Sequence, residues 1–400
     1  MWCTRTRRSF VLLAGCLVAL TVGVCTQPAL AQRGAVSVGM RAGLGGGFAP
    51  PVSKADLKKF TGVLSLDDIQ VETAEQLLAA MQSEHDVYAE KARKEIDRLR
   101  VEFQDSQDPT VFRDEMPKVM QAYTTGAAAV EKQFFDDLKS LLTPEQVEKW
   151  PKLERLHRRG KSLPNGMLSG ESLDLIATVE QLKLPEISVD LAAVLDRYEA
   201  DLDRALIERD KVRQERMPGA GGNGFNFDFE QIRKDMAELR KAGLVVCEVN
   251  QRYARSIEAT LPEERRTEFA SQVRKETFPR IYRDTHTGKC LKAAMEFKDL
   301  TDEQSSSIQD LLAGYERELK SVNSEWAEAQ QALEADGGGD PFAMLMGGGE
   351  NPAVADARKA KRELDKNTRE KLLAILSEEQ IERLPEREED GPGMMFRIGG

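Results

Sequence analysis

The side chains best suited to chemistry in this 400-residue chain are few and widely spaced. His286 and Cys290 stand four apart in HTGKC, so on a helix they would face the same way. With Cys247 they could offer three donors to a metal ion. A structural site needs a complete set of about four ligands, however, and these three are loosely placed, so no metal site is expected. The remaining histidines are His85 and His157. The glycine-rich GAGGNG at 219–224 is not a phosphate loop, since no Lys-Ser/Thr follows it and no strand precedes it. HExxH, a CxxC pair and GxSxG are all absent from the sequence. Carboxylates abound, but an acid on a helix surface is usually just solvated. No catalytic constellation results, and neither an enzyme nor a cofactor is expected.

Pattern is more informative than chemistry. LTPEQVEKWP at 142–151 returns as LSEEQIERLP at 376–385, with five of ten positions identical. Leu66 opens LDDIQVETAEQLL and Leu300 opens LTDEQSSSIQDLL, and these two leucines are 234 apart, as are Leu142 and Leu376. Leu184 and Thr260 fall between them at intervals of 118 and 116, so each unit keeps 76 residues between its two markers. Leu57, Leu175 and Leu291 each stand nine residues ahead of a first marker. The sequence therefore reads as three tandem units of about 117 residues.

Each marker is a helix start. In LTPEQV, Thr143 is the N-cap, Pro144 occupies the first helical position and Gln146 completes a capping box, with Leu142 and Val147 placed for a hydrophobic staple. Leu376, Ser377, Gln380 and Ile381 repeat this, as do Leu66, Asp67, Gln70 and Val71. Leu300, Thr301 and Gln304 keep the cap but lose the staple, and the middle unit keeps neither marker whole. Between markers run long stretches with apolar steps of four and three, as a coiled-coil seam requires. One seam runs Ile308, Leu312, Tyr315, Leu319, Val322, Trp326, Ala329, Leu333. Another runs Ile232, Met236, Leu239, Gly243, Val246, Asn250, Tyr253, Ile257, and a third from Phe112 through Tyr123 and Ala127 to Leu138. The expected fold is all-α: elongated, with long antiparallel helical hairpins packed as coiled coils. Such narrow seams must pair with one another or with a second chain.

The hairpins turn at DSQDP (105–109), at MPGAGGNGFNFDF (217–229) and at DGGGDPFAMLMGGGENP (336–352). Glycine runs of this kind favour flexible coil. Phe225, Phe227, Phe342, Met344, Leu345 and Met346 lie in them and are the candidate contacts to a bound partner. Methionine-bearing surfaces adapt to varied partners.

Arg5, Arg7 and Arg8, the apolar run FVLLAGCLVALTVGV and the small-x-small ALA at 29–31 read as an export signal cut after Ala31. A second reading is a lipobox at Leu13–Cys16 that would lipidate Cys16; the apolar run continuing to Val24 favours the later cut. Cleavage removes three positive charges and takes the net charge from −11 to −14, which disfavours nucleic acid as a partner. No other run approaches the 18 apolar residues of a membrane span, so the chain is not expected to be an integral membrane protein. Two cysteines, Cys247 and Cys290, would remain after cleavage, in a compartment where a disulfide between them is allowed.

An exported helical unit with Leu-Thr-x-x-Gln at each end of a long hairpin resembles the LTxxQ-motif family, the Spy-type and CpxP-type periplasmic proteins. Leu142-Thr143-Glu145-Gln146, Leu300-Thr301-Gln304 and Leu376-Ser377-Gln380 carry the likeness, with Leu66 to Gln70 a looser copy. The likeness implies a periplasmic, ATP-independent chaperone or envelope-stress protein that holds unfolded or apolar protein segments. This chain departs from the family in three respects: its fused units, its acidity and its near lack of histidine. Alternatives are a coiled-coil scaffold or spacer of the envelope and, more weakly, a metal-stress binding protein. The expected organisation is a signal peptide (1–31), a Gly-rich linker (32–54), helical units at 55–165, 166–285 and 286–388, and a tail (389–400), with self-association through the helical seams.

Overall fold

In a computed structural model, residues 48–386 are described apart from 109, 217–228 and 338–350. Among these the chain is all-α, with no strand. In chain order the helices are α1 (Lys54–Leu64), α2 (Asp68–Ser106), α3 (Thr110–Ser140), α4 (Pro144–Val147) and α5 (Trp150–Ser162). After a 3₁₀ turn at Leu163–Asn165 come α6 (Leu175–Gln181), α7 (Val189–Arg216), α8 (Phe229–Thr260), α9 (Glu263–Thr277) and α10 (Pro279–Tyr282). The series closes with α11 (His286–Met295), α12 (Asp302–Asp336), α13 (Pro352–Ile375) and α14 (Glu378–Ile381).

Helix boundaries follow local chemistry. Asp67, Thr143, Thr301 and Ser377 each accept a hydrogen bond from the backbone N–H of the glutamine three residues on, and that glutamine's Oε1 accepts one from the cap N–H. The capping boxes expected at the four markers are therefore in place. Ser53 and Asp56 build a fifth at α1. By contrast α9, the counterpart in the middle stretch, begins after Pro262 with no side-chain cap. The staple is less regular. Leu376 and Ile381 enter one apolar cluster, whereas Val147 is 37% exposed beside Leu142.

Consecutive long helices pack together as α2 with α3, α7 with α8 and α12 with α13. His85 on α2 meets Tyr123 on α3 at 3.0 Å, and Phe103 meets Phe112 with ring centroids 5.3 Å apart. On α7 and α8, Tyr198 bonds Asn250 and Arg216 reaches Asp235. On α12 and α13, Tyr315 bonds Asp365 while Trp326 faces Lys361. In each pair the contacts fall on one helix as they rise on the other. On α2 the buried stripe Ala74, Leu78, Met81, His85, Ala89, Ala92, Ile96, Leu99 advances by threes and fours, with two successive fours at His85.

Two seams differ from the strict heptad. On α3 the buried position is Gly126 rather than Ala127, because Gly126 lies directly against the ring of Tyr88. On α12 burial follows Ile308 and Tyr315 but then moves one residue on, to Asn323 and Ala327, while Val322 and Trp326 are half-buried. A straight helix drifts about 20° per heptad against a 3.5-residue repeat, so a long seam without supercoiling hands over to neighbouring positions.

α5 joins the first pair to the second. It packs against both α1 and α7. Arg155 and Arg159 reach the buried carboxylate of Glu199, and Arg158 pairs with Asp203. The connecting residues 166–174 are held from the other side by α8 and α12. Asn250 donates to Gly170 O at 2.7 Å, and Ser169 bonds Glu334 through both its N–H and its hydroxyl.

Candidate functional site

The four marker glutamines meet in pairs. Each has two polar ends, and its cap uses only the carbonyl Oε1, which accepts from Asp67 N on α2 and from Thr143 N before α4. The amide Nε2 is left to reach outward. Gln70 Nε2 donates to Leu141 O at 2.7 Å and to Gln146 Oε1 at 2.9 Å. Gln146 Nε2 returns a bond to Gln70 Oε1 at 2.8 Å and another to Ser65 O at 3.0 Å. The two amides thus close a reciprocal clasp, each also satisfying a backbone carbonyl just ahead of the other's helix. Ser65 needs such help, because at φ 54° it ends α1 in the left-handed region.

Gln304 and Gln380 build a similar arrangement across α12 and α14, with one amide–amide bond in place of two. Gln304 Nε2 donates to Ile375 O at 2.8 Å and to Gln380 Oε1 at 3.1 Å, and Gln380 Nε2 donates to Asp299 O at 3.3 Å. Gln380 is buried. Nearby, Arg383 grips Asp299 with contacts of 2.6 and 2.8 Å and holds its carboxyl below the ordinary range. Leu66 and Leu142 pack against one apolar cluster, and Leu300 and Leu376 belong to another. The 76-residue interval read from the sequence is the loop length that this clasp closes.

The candidate partner-contacting residues Phe225, Phe227, Phe342, Met344, Leu345 and Met346 lie outside the described residues. The disulfide that the sequence allowed does not form: Cys247 and Cys290 are both free and buried, as two small apolar residues would be. They sit in separate surroundings. Cys247 faces Ser169 O at 3.5 Å, and burial, with Glu171 and Glu334 nearby, pushes its thiol up to about 12. Cys290 contacts His286 at 3.6 Å, the helical neighbourhood that their spacing predicts, and burial raises its pKa too. His286 bonds Pro385 O at 3.0 Å. Cys247 does not join these two, and no group of three or more metal-binding side chains occurs among the described residues.

Sequence reasoning missed the buried charges of the middle pair. Arg209 on α7 is 1% exposed and donates to Glu171 Oε1 at 2.9 Å and to Ser162 O at 2.5 Å. The second oxygen of Glu171 accepts from Met167 N and Leu168 N. Gly243 in the α8 seam is there for space: a Cβ would sit 2.9 Å from Glu171 Oε2. A lone glycine in an apolar seam was the available signal. At the first pair, burial pushes Glu131 up, but bonds from His157 (2.8 Å) and Lys161 (2.6 Å) outweigh it and leave the carboxyl below its ordinary range.

No family model, curated protein or solved structure matches the chain.

Proposed function

We propose that this chain is an exported, non-enzymatic helical binding protein that holds unfolded or apolar protein segments without ATP, as its resemblance to the LTxxQ-motif proteins implies. The observation that carries this reading is the double clasp. The residues on which the resemblance rests make one hydrogen-bonded unit at each of two places, more than a set of unrelated helix starts would require. At α12 and α13 the clasp fastens one end of the pair and leaves the opposite end to a glycine-rich connection, while a second such connection joins α7 and α8, which have no clasp. Those connections carry the chain's Phe- and Met-bearing segments at 217–229 and 336–352. The basic, apolar and small-x-small order of residues 1–31 supports export. Among the described residues no helix is long and apolar enough to cross a membrane.

The test is light scattering of a reduced or heat-unfolded client with purified residues 32–400 and no ATP. Suppressed aggregation near stoichiometry, abolished by deleting 217–226 and 337–349 with helicity intact, supports the reading. Unchanged scattering across several clients rejects it. A second reading, a helical spacer of the envelope, is favoured by the continuous ion-paired packing of α5 against α7. It predicts no suppression and one dedicated partner in pull-downs.

A further inference from the structure

A chain with formal charge −11 carries a groove in which the balance is reversed. Beside α10, α11 and α13 lies a cavity of about 780 Å³ lined, among the described residues, by eight lysine or arginine side chains and four acidic ones. Arg280 and Arg283 form one wall. Arg358, Arg362, Lys366 and Arg369 form the other, at intervals of four, four and three along α13. That spacing keeps them on one face of the helix, and at 1.5 Å per residue it spreads positive charge over roughly 16 Å.

Several of these groups are arranged at some cost to folding. Lys361, also in the lining, is buried, donates to Ile281 O and lies 5.8 Å from the centroid of the Trp326 ring. Burial pushes its pKa down and neighbouring Arg283 adds to this, with Asp365 pulling the other way. The Nε of Arg369 is buried without a hydrogen-bond partner. Two of the four acids are engaged with neighbours, Asp365 accepting from Tyr315 at 2.5 Å and Glu370 pairing with Lys366 at 3.9 Å, so the eight cations still outnumber the acids of the described lining. Helix pairing alone does not require repelling cations to be collected on both walls of one groove. An anion there would satisfy the orphan guanidinium N–H and relieve the repulsion.

We propose that this groove is a binding site for a linear polyanion with closely spaced phosphate groups. The cations form a track, where a single pocket would suit one isolated anion. Guanidinium forks on two walls match phosphate oxygens. Binding here does not depend on client binding at the glycine-rich connections.

The experiment is isothermal titration of the full chain with short linear polyphosphate at two salt concentrations. Three pieces are compared: the unaltered chain, Arg362→Glu/Lys366→Glu in the groove, and Arg317→Glu/Lys320→Glu outside it. Both double variants change net charge equally, and far-UV circular dichroism confirms that each is folded. The expected result is saturable binding that weakens with salt and falls by about tenfold or more in the groove variant, with less than about a twofold change in the other. Absence of binding, or equal losses in the two variants, overturns the proposal. So does tighter binding of a poly-glutamate peptide or of single-stranded DNA than of polyphosphate.

Discussion

The clasp makes a prediction that a capping box alone does not. In a capping box the third helical residue accepts from the cap N–H, and Glu serves there as well as Gln. Gln70→Glu therefore keeps the bond from Asp67 N, now 3.1 Å long, and should be nearly neutral if capping is the only role. The structure gives Gln70 more to lose. Its Nε2 donates at 2.7 Å to Leu141 O and at 2.9 Å to Gln146 Oε1, and a carboxylate would turn acceptors toward both. Two donors lost at about 1 kcal/mol each, together with acceptors left facing each other, amount to about 2–4 kcal/mol. Urea unfolding followed by circular dichroism reads this as a lower midpoint, with Gln146→Glu behaving alike. Gln70→Ala combined with Gln146→Ala should cost less than the two single changes together, by about 1–2 kcal/mol, since either alone opens the clasp. A Glu variant within about 0.5 kcal/mol of the parent, or an additive alanine pair, refutes the clasp as an energetic unit.

Three further outcomes are expected. Gly243→Ala should destabilise by about 1–3 kcal/mol because its Cβ would displace the Glu171 carboxylate that holds Arg209. Gly314→Ala, with open space around its Cβ, should instead stabilise by up to about 1 kcal/mol; thermal melts of the pair check both. Tyr123→Phe strands the buried His85 Nε2 and should cost about 1–3 kcal/mol in chemical denaturation. The Cys247 thiol, raised in the fold from 9.0 to about 12, contributes stability that is fully present below pH 9 and lost as pH climbs toward 12. Because the raised pKa favours the neutral thiol only in the native state, the stability difference between the parent and Cys247→Ala should be flat below pH 9. Above it the difference should narrow by up to about 4 kcal/mol, as measured by urea titrations at each pH.

The elements that were legible in the sequence are those fixed by short-range chemistry. A Thr, Ser or Asp followed three residues later by Gln names a helix start, and all four marker caps form as the residues dictate. Steps of three and four on α8 name its buried face, since Leu239, Gly243, Val246, Asn250 and Ile257 of the seam read there are all buried. The partial failures arise where one helix must fit another. Ala127 is as apolar as a seam needs, yet Gly126 is the residue buried, because Tyr88 comes too close for any side chain. Val322 and Trp326 keep the heptad on paper, but helical drift over 35 residues gives the interior to Asn323 and Ala327. Spacing alone could not decide whether Cys247 and Cys290 are joined, since 42 intervening residues leave their contacts free to differ.

The equal spacing of 76 residues carried information that neither the motif nor the periodicity held. A capping box is local and says nothing about what lies elsewhere, so four copies alone predict four helix starts. Keeping the interval between two copies fixed matters only if the copies must meet. The glutamine is the one marker residue with a function left over after capping, since its carbonyl serves the cap and its amide remains to donate. That amide reaches the opposite marker at both places where two markers keep cap and glutamine, and the middle stretch tests the converse. There Ser188 and Glu264 stand four residues after Leu184 and Thr260, where the other stretches have glutamine, and α9 starts without a cap. The stretch that lacks the glutamines holds its helices with a buried Arg209–Glu171 pair and a Tyr198–Asn250 bond instead. Installing glutamine at 188 and 264 would therefore not create a third clasp by itself, because the cap position three residues before 264 is Leu261, a buried apolar side chain with no oxygen to accept from the helix N–H.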